Sequence, residues 1–405
     1  MSDTEQQENR QKRLLSLAGL FLKLGFTAFG GPAAHIAMLE DEVVTRRPWV
    51  TRQHFLDLIG ATNLIPGPNS TEMVMHVGYE QGGVWGQLVA AVCFIGPAAL
   101  LTGLLAWVYV EFGTTPALEP FLAGIKPAVL AVILGAVWKL GKKAVKGWQL
   151  AVIGTAVMAA MLLGIQEILA LLAGGVLGML WLVWLRRRNG KGGNGTAVGA
   201  LFLNPWNPWN LRQTLPNFLA PLAPHAQEAA NAPSLWDIGW FFLRTGAVLY
   251  GSGYVLIAFI EQDLVQRYGW LTQAQLLDAI AIGQFTPGPV LTTATFIGYL
   301  LAGVPGAIVA TLAIFLPSFL FVLILNPIVP RLRKSVWASA FLDAVNVAAL
   351  GLMLVVTVGL ARGSLVSWQA WVIAALAAVG TFYFKLNSAW IILGGALLGF
   401  ALSFL

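Results

Sequence analysis

Charge is what this 405-residue chain has least of: acidic and basic residues together make up 10% of it, where soluble domains carry roughly a quarter. Cysteine is scarcer still. Cys93 is the single one and sits in an apolar run, which excludes a disulfide framework and a cysteine metal site. The four histidines, His35, His54, His76 and His225, are scattered, and no His-Glu-x-x-His occurs. That argues against a membrane-embedded hydrolase, which needs a clustered His/Asp/Glu set. No Gly-x-x-x-x-Gly-Lys-Ser/Thr loop is present, so an ATP-driven step within this chain is not expected. Neither a cofactor nor a metal is called for. Residues 2–9 are polar and partly acidic, unlike a cleavable signal peptide.

What remains is apolar. Hydrophobic residues make up 58% of the chain, and uncharged stretches run over 83–110, 147–166, 303–330, 363–384 and 386–405. Each is near or above the roughly 20 residues that cross a bilayer. The expected class is an all-α polytopic membrane protein with the lipid bilayer as its main partner. The net charge of +6 does not signal nucleic acid. Its basic residues cluster at segment ends, as Arg10/Lys12/Arg13, Arg46/Arg47, Lys142/Lys143/Lys146, Arg186/Arg187/Arg188 and Arg331/Arg333/Lys334. Topology determinants and headgroup contacts are placed in this way.

The chain is also written twice. Residues 21–185 recur at 242–405 with an offset of 221, as in Gly30/Gly251, Glu40/Glu261, Trp49/Trp270 and Asp57/Asp278. After one deletion the offset is 220, as in Gly78-Tyr79/Gly298-Tyr299, Pro97/Pro317 and Trp148-Gln149/Trp368-Gln369. A register kept over most of each half is an internal duplication. In an apolar chain that is the sequence form of a secondary transporter, with its site where the repeats meet.

Each copy reads as two broken elements followed by four apolar helices. The breaks are Gly30-Gly31-Pro32 and Pro66-Gly67-Pro68 in the first copy, and Gly251-Ser252-Gly253 and Pro287-Gly288-Pro289 in the second. The expected organisation is an N-terminal segment 1–13, a first transmembrane repeat 14–188, a Pro/Asn/Trp-rich linker 189–234 and a second repeat 235–405. If each Pro-Gly-Pro piece dips in and returns on one side, a copy makes five crossings, and the odd number inverts the second copy. The clusters at 46–47, 142–143, 186–188 and 331–334, with Lys385, then share the cytoplasmic side. Arg10, Lys12, Arg13, Arg267 and Arg362 fall on the other. Two inverted repeats of about five helices each, broken or re-entrant at Gly/Pro motifs, are therefore expected.

The Pro-Gly-Pro breaks are the strongest local signals. Proline removes a backbone donor and glycine frees φ, so a helix must stop there. A short helix restarting at Asn69-Ser70-Thr71, or near Thr292-Thr293, offers the positive end of its dipole to an anion. Gly30, Gly31, Asn63, Gly67, Gln284 and Gly288 flank these starts. The plainer reading is a kink that only packs helices. Lys23 and Arg244 occupy equivalent positions within apolar helix, and a buried cation needs a negative partner. Both are candidates to hold a dianion; the alternative is snorkelling to a headgroup. Glu40 and Glu261 are candidates for a coupling proton, or else neutralise nearby arginines at the membrane edge. Glu72 and His76 stand four apart after the first break, a proton-relay spacing present in one copy alone. His35 reads more readily as a packed polar residue than as a ligand.

With Phe29-Gly30-Gly31-Pro32, the two Pro-Gly-Pro turns, and Gly78-Tyr79 and Gly298-Tyr299, the chain resembles the chromate ion transporter family in its long, two-domain form. The second copy departs from the first turn's pattern, reading Tyr250-Gly251-Ser252-Gly253. The resemblance implies homologous halves lying antiparallel in the bacterial inner membrane. It also implies export of chromate, with sulfate as a competitor, and hence chromate resistance. An oxyanion channel is the neighbouring alternative, and a homodimer is left open.

Overall fold

The computed structural model describes residues 3–29, 31–113, 115, 118–188, 232–251, 253–325 and 335–404. Gly30, the 331–334 cluster and most of the 189–234 linker lie outside them. The described residues are helical and include no strand. The first copy comprises α1 (Asp3–Thr27), α2 (Pro32–Glu40, running into a wider turn Asp41–Arg46), α3 (Arg52–Thr62), α4 (Asn69–Phe112), α5 (Glu119–Ala144), α6 (Trp148–Leu162) and α7 (Glu167–Arg188). The second comprises α8 (Leu235–Val248), α9 (Leu256–Phe259, running into Ile260–Arg267), α10 (Gln273–Phe285), α11 (Thr293–Leu325), α12 (Val336–Ser364), α13 (Trp368–Phe382) and α14 (Ser388–Leu402). By length and composition α4, α5, α7, α11 and α12 can each cross a membrane.

α4 and α11 are each folded at one point. Gly82 and Gly83 leave helical geometry, with Gly83 at φ 59°, and Ala302 and Gly303 do so at the equivalent place, with Gly303 at φ 61°. The first arm of α4, residues 69–81, therefore lies back along its second arm, 84–112. Gly78 and Gly86 touch there: a Cβ on Gly78 would stand 2.6 Å from the Gly86 carbonyl oxygen, and Gly298 and Gly306 repeat the contact. The Gly-Tyr pairs noted in the sequence are thus sites of close backbone approach.

The first arm of α4 and α3 form one hairpin, tied at its mouth by His54 with Glu80 and by Gln81 donating to the Trp49 carbonyl at 3.3 Å. α1 and α2 form a second. Lys23 reaches Glu42 at 2.6 Å, and Trp49 lines a pocket with Lys12 and Arg13. α1 runs alongside the second arm of α4, where a Cβ on Gly25 would meet the Cys93 and Phe94 carbonyl oxygens at 2.9 Å. Both hairpins open at the same end of the bundle. Neither goes through: the tip at Gly67 meets Ser318, within the second arm of α11, and the α1 end at Ala28 meets the second-copy tip at Gly288, which lies against Ala98 midway along the second arm of α4.

The copies are inverted, and equivalent helices prove it. Gly141 packs on Leu350 and Lys146 on Asp343, so α5 ascends where α12, its own copy, descends. α4 and α11 oppose each other likewise, with Gln87 donating to the Phe319 carbonyl at 2.8 Å. The partners interchange as a two-fold requires: α7 lies on α12 as α14 lies on α5, and α6 on α12 as α13 on α5.

One step of the sequence argument is corrected. The five-crossing count carried the first broken element through to the far side, whereas the turn at Gly31-Pro32 sends α2 back along α1. Lys12 and Arg13, which that count placed outside, therefore join Arg46, Arg47, Lys146 and Arg186 at one end. That end is the basic one, the side the positive-inside rule assigns to the cytoplasm. α8 runs alongside the second arm of α11, with Gly239 against Val309 and Gly246 against Ile314. Arg188 and Ser234, on either side of the connection, thus stand at opposite ends of the bundle.

Candidate functional site

The four hairpin tips meet at mid-depth in reciprocal pairs. The Gly67 N–H donates to the Leu249 carbonyl at 2.7 Å, and the Gly288 N–H donates to the Ala28 carbonyl at 2.8 Å. Gly67/Gly288 and Ala28/Leu249 are equivalent at the offset of 221, so one joint is the copy of the other. Glycine is demanded at both. Gly67 has φ 145° and Gly288 φ 92°, where side chains are strained. A Cβ on Gly67 would overlap Ser318 Oγ and Glu72 Oε1. Gly31, at φ 80°, faces the Tyr254 hydroxyl.

α4 starts immediately behind the first tip. The Thr71 and Glu72 N–H groups bond back to the Pro68 carbonyl at 2.8 and 3.1 Å, which aims the positive end of the helix at the tip. Asn63 caps α3 by donating to the Ile59 carbonyl at 2.8 Å, and its oxygen accepts from Asn69 at 2.6 Å. Ser70 is buried with its hydroxyl 3.3 Å from His35 Nδ1, and buried Thr71 Oγ1 has no hydrogen-bond partner. In the second copy Thr292 and Thr293 give their hydroxyls to the Pro289 and Val290 carbonyls at 2.9 and 2.8 Å. Gln284 accepts from the Tyr254 hydroxyl at 3.2 Å, while its buried Nε2 has no partner. The first start keeps polar capacity; the second has turned its hydroxyls onto its own backbone.

Lys23 and Arg244 do not stand free. Lys23 pairs with Glu42, which Arg46 and Arg47 also hold. Arg244 pairs with Asp263, which Arg267 also holds at 2.8 Å. Each cation therefore staples its own first hairpin. The two differ in access: the Lys23 side chain is 50% exposed and that of Arg244 13%. Glu40 lies 3.6 Å from Arg52 in a partly exposed edge pair, the neutralising role. Buried Glu261 instead accepts from Gln266 at 2.8 Å. Glu72 and His76 are both fully buried one turn apart on the first arm of α4. His35 is buried too, edge-on to Phe94. Sequence reasoning passed over Glu42, Asp263 and Ser318. The first two carried a signal: Lys23 to Glu42 and Arg244 to Asp263 have the same spacing in both copies.

The two-fold is broken where the hairpins meet the long helices. α10 packs on α5 and α14, and α9 packs on α12. Among the described residues their equivalents α3 and α2 make no comparable contact with α12, α7 or α5. Leu56 is consequently 49% exposed where its equivalent Leu277 is 2% exposed. Asn63 is exposed where Gln284 is buried. The second-copy hairpins are therefore packed against the long helices, whereas the first-copy hairpins leave Leu56 and Asn63 uncovered.

Comparison with known proteins agrees with this duplicated architecture. The family model described as "Chromate transporter" matches twice, over residues 15–179 and 236–400. The chain is 32% identical to a "Chromate transport protein" of Cupriavidus metallidurans, over 95% of this chain and 92% of that one. It is 31% identical to a "Probable chromate transport protein" of Synechococcus elongatus, covering 91% and 90%. It is also 31% identical to a "Chromate transport protein" of Pseudomonas aeruginosa, covering 94% and 90%. No solved structure matches it.

Proposed function

Because the chain belongs to the chromate transporter family, we propose that it is a secondary carrier exporting chromate, a tetrahedral oxyanion dianion, across the bacterial inner membrane, and that it thereby confers chromate resistance. One observation carries the reading: inverted copies whose hairpins are packed against the long helices in one copy and uncovered in the other, an asymmetry we read as a cleft open on one side. A channel needs a continuous path, whereas a carrier needs two states that exchange, and inverted repeats supply the second state by swapping roles. The state described has its open cleft toward the cytoplasm, where an exporter loads.

The anion settles at the tips, against the start of α4. Asn63, Asn69, Ser70 and Thr71 face it from the open copy, and the unpartnered Gln284 amide from the closed one, where Thr292 and Thr293 must first release their hydroxyls from the backbone. Gly31, Gly67 and Gly288 let backbone approach. Lys23 is the movable cation: half exposed, it can leave Glu42 to Arg46 and Arg47 and turn to the substrate. Arg244 stays in its buried pair. An inside-negative potential favours outward movement by about 2.3 kcal/mol per charge per 100 mV, twice that for a dianion.

The test is uptake of labelled chromate into inverted vesicles, with sulfate, molybdate and phosphate as competitors. Counterflow with saturation supports the carrier. Unitary currents in a planar bilayer, or the absence of counterflow, would sink it; stronger competition by sulfate than by chromate itself would reassign the substrate.

A further inference from the structure

The two tip joints are copies, but only one is ionisable. At the second, Gly288 faces Ala98 and the helix start carries Thr292. At the first, Gly67 faces Ser318, the equivalent of Ala98, and Glu72, at the helix start where the second copy carries Thr292 and Thr293. Both carboxyl oxygens of Glu72 and the Ser318 hydroxyl are buried, and among the described residues neither group has a hydrogen-bonding neighbour beyond the other. Each crowds the same point above the Gly67 Cα. Glu72 comes from the first copy and Ser318 from the second, so the group spans the interface that must shear if the copies exchange roles.

We propose that Glu72 is a proton-binding site of this carrier, closed by Ser318 and gated by the docking of the Gly67 tip on Leu249. This rests on the carrier reading above and adds its coupling ion. A buried ionised carboxylate with no counter-charge is heavily penalised, and its neutral form much less so. The tip thus docks dry with the proton on Glu72. When the Gly67–Leu249 bond opens, water enters, and facing the cytoplasm the carboxyl releases its proton to cytoplasmic water. After the copies exchange roles it takes one from water on the opposite side before the tip redocks, so one proton enters for each chromate that leaves. No described ion pair reaches Glu72. The titratable groups around it are His76 one turn along α4, Tyr250 at the end of α8, and His35, which contacts Ser70 from α2. The second joint, with alanine and threonine, docks without titrating. One joint sensitive to protons and one indifferent to them gives the cycle a direction.

Two measurements on the full chain test this. In proteoliposomes at zero potential, one coupled proton shifts the chromate accumulation ratio about tenfold per unit of imposed pH gradient. Glu72→Gln is expected to keep chromate counterflow and lose that shift. A shift retained in Glu72→Gln, or one driven by a sodium gradient instead, overturns the proposal. Infrared difference spectra need no substrate: wild type is expected to show a carboxyl band that converts with pH and is absent from Glu72→Gln. A band identical in both overturns the proposal even if chromate moves. If the band behaves as expected but no chromate moves, the substrate assignment fails and the proton site stands. Ser318→Ala, which writes the second joint's alanine into the first, serves if Glu72→Gln does not fold. It is expected to displace the pH at which the band converts, and an undisplaced band counts against the site.

Discussion

Lys23 and Arg244 are equivalent in sequence yet should respond very differently to alanine. Arg244 is 13% exposed and its partner Asp263 2% exposed, so removing the guanidinium leaves a buried carboxylate with Arg267 alone. Breaking a buried pair costs about 3–5 kcal/mol. The residual Arg267 contact puts Arg244→Ala near the lower end, about 3 kcal/mol. The substitution also removes a guanidinium stacked 5.9 Å from the centre of the Phe241 ring. Lys23 is half exposed, and Glu42 keeps both Arg46 and Arg47 when it leaves. Screened by solvent, that pair is worth about 0–1 kcal/mol. The difference, about 2 kcal/mol, is roughly thirty-fold in an equilibrium constant. Denaturant titration of both variants in mild detergent reads it as a midpoint shift at constant slope. Chromate flux per folded molecule then separates the roles: Lys23→Ala should fold nearly as wild type and transport poorly, whereas Arg244→Ala should lose fold and flux together. A Lys23→Ala variant as destabilised as Arg244→Ala would refute the electrostatic reasoning. One with wild-type flux would remove Lys23 from the substrate path.

Five further outcomes are expected. Asn63→Cys should react with a membrane-impermeant maleimide applied to the cytoplasmic face, while Gln284→Cys should stay protected, since only the first is exposed; equal labelling would deny the one-sided cleft. Gly67→Ala should abolish transport, because the new Cβ adds overlap with Ser318 and Glu72 to a backbone at φ 145°. Gly83→Ala meets nothing within 4 Å and should cost only the strain of a backbone conformation (φ 59°, ψ −148°) that is essentially glycine's alone, about 1–3 kcal/mol, with flux per molecule intact. Gly78→Ala should lower folded yield by overpacking, about 1–3 kcal/mol, whereas Gly96→Ala, in open space, should be neutral or slightly stabilising in an expression and thermal-shift assay. Pro66→Ala and Pro287→Ala should each slow chromate uptake into vesicles more than alanine substitutions along α6 do; parity would reduce the breaks to architecture.

The sequence by itself determined whatever depends on a residue and its near neighbours. Pro-Gly-Pro halts a helix wherever it is put, so the breaks, the restarts at Asn69 and near Thr292, and the four apolar helices of each copy were legible. The duplicated register announced the repeat. The positive-inside count gave the inversion, although it misjudged how the first element turns. Tertiary structure decided what depends on distance in space. Glu40 and Glu261 drew notice because they match in type. The acids that face the cations are Glu42 and Asp263, two residues on, which match in charge and spacing only. The Gly78-Tyr79 pair marked the repeat and the family resemblance, and its glycine is a backbone contact, because only packing shows what a missing Cβ makes room for. Ser318 beside Glu72, and the unequal cover of the two copies' hairpins, arise from elements hundreds of residues apart. Two copies in one register carry matching breaks and apolar spans, so which of them stands uncovered is settled by how the whole bundle packs.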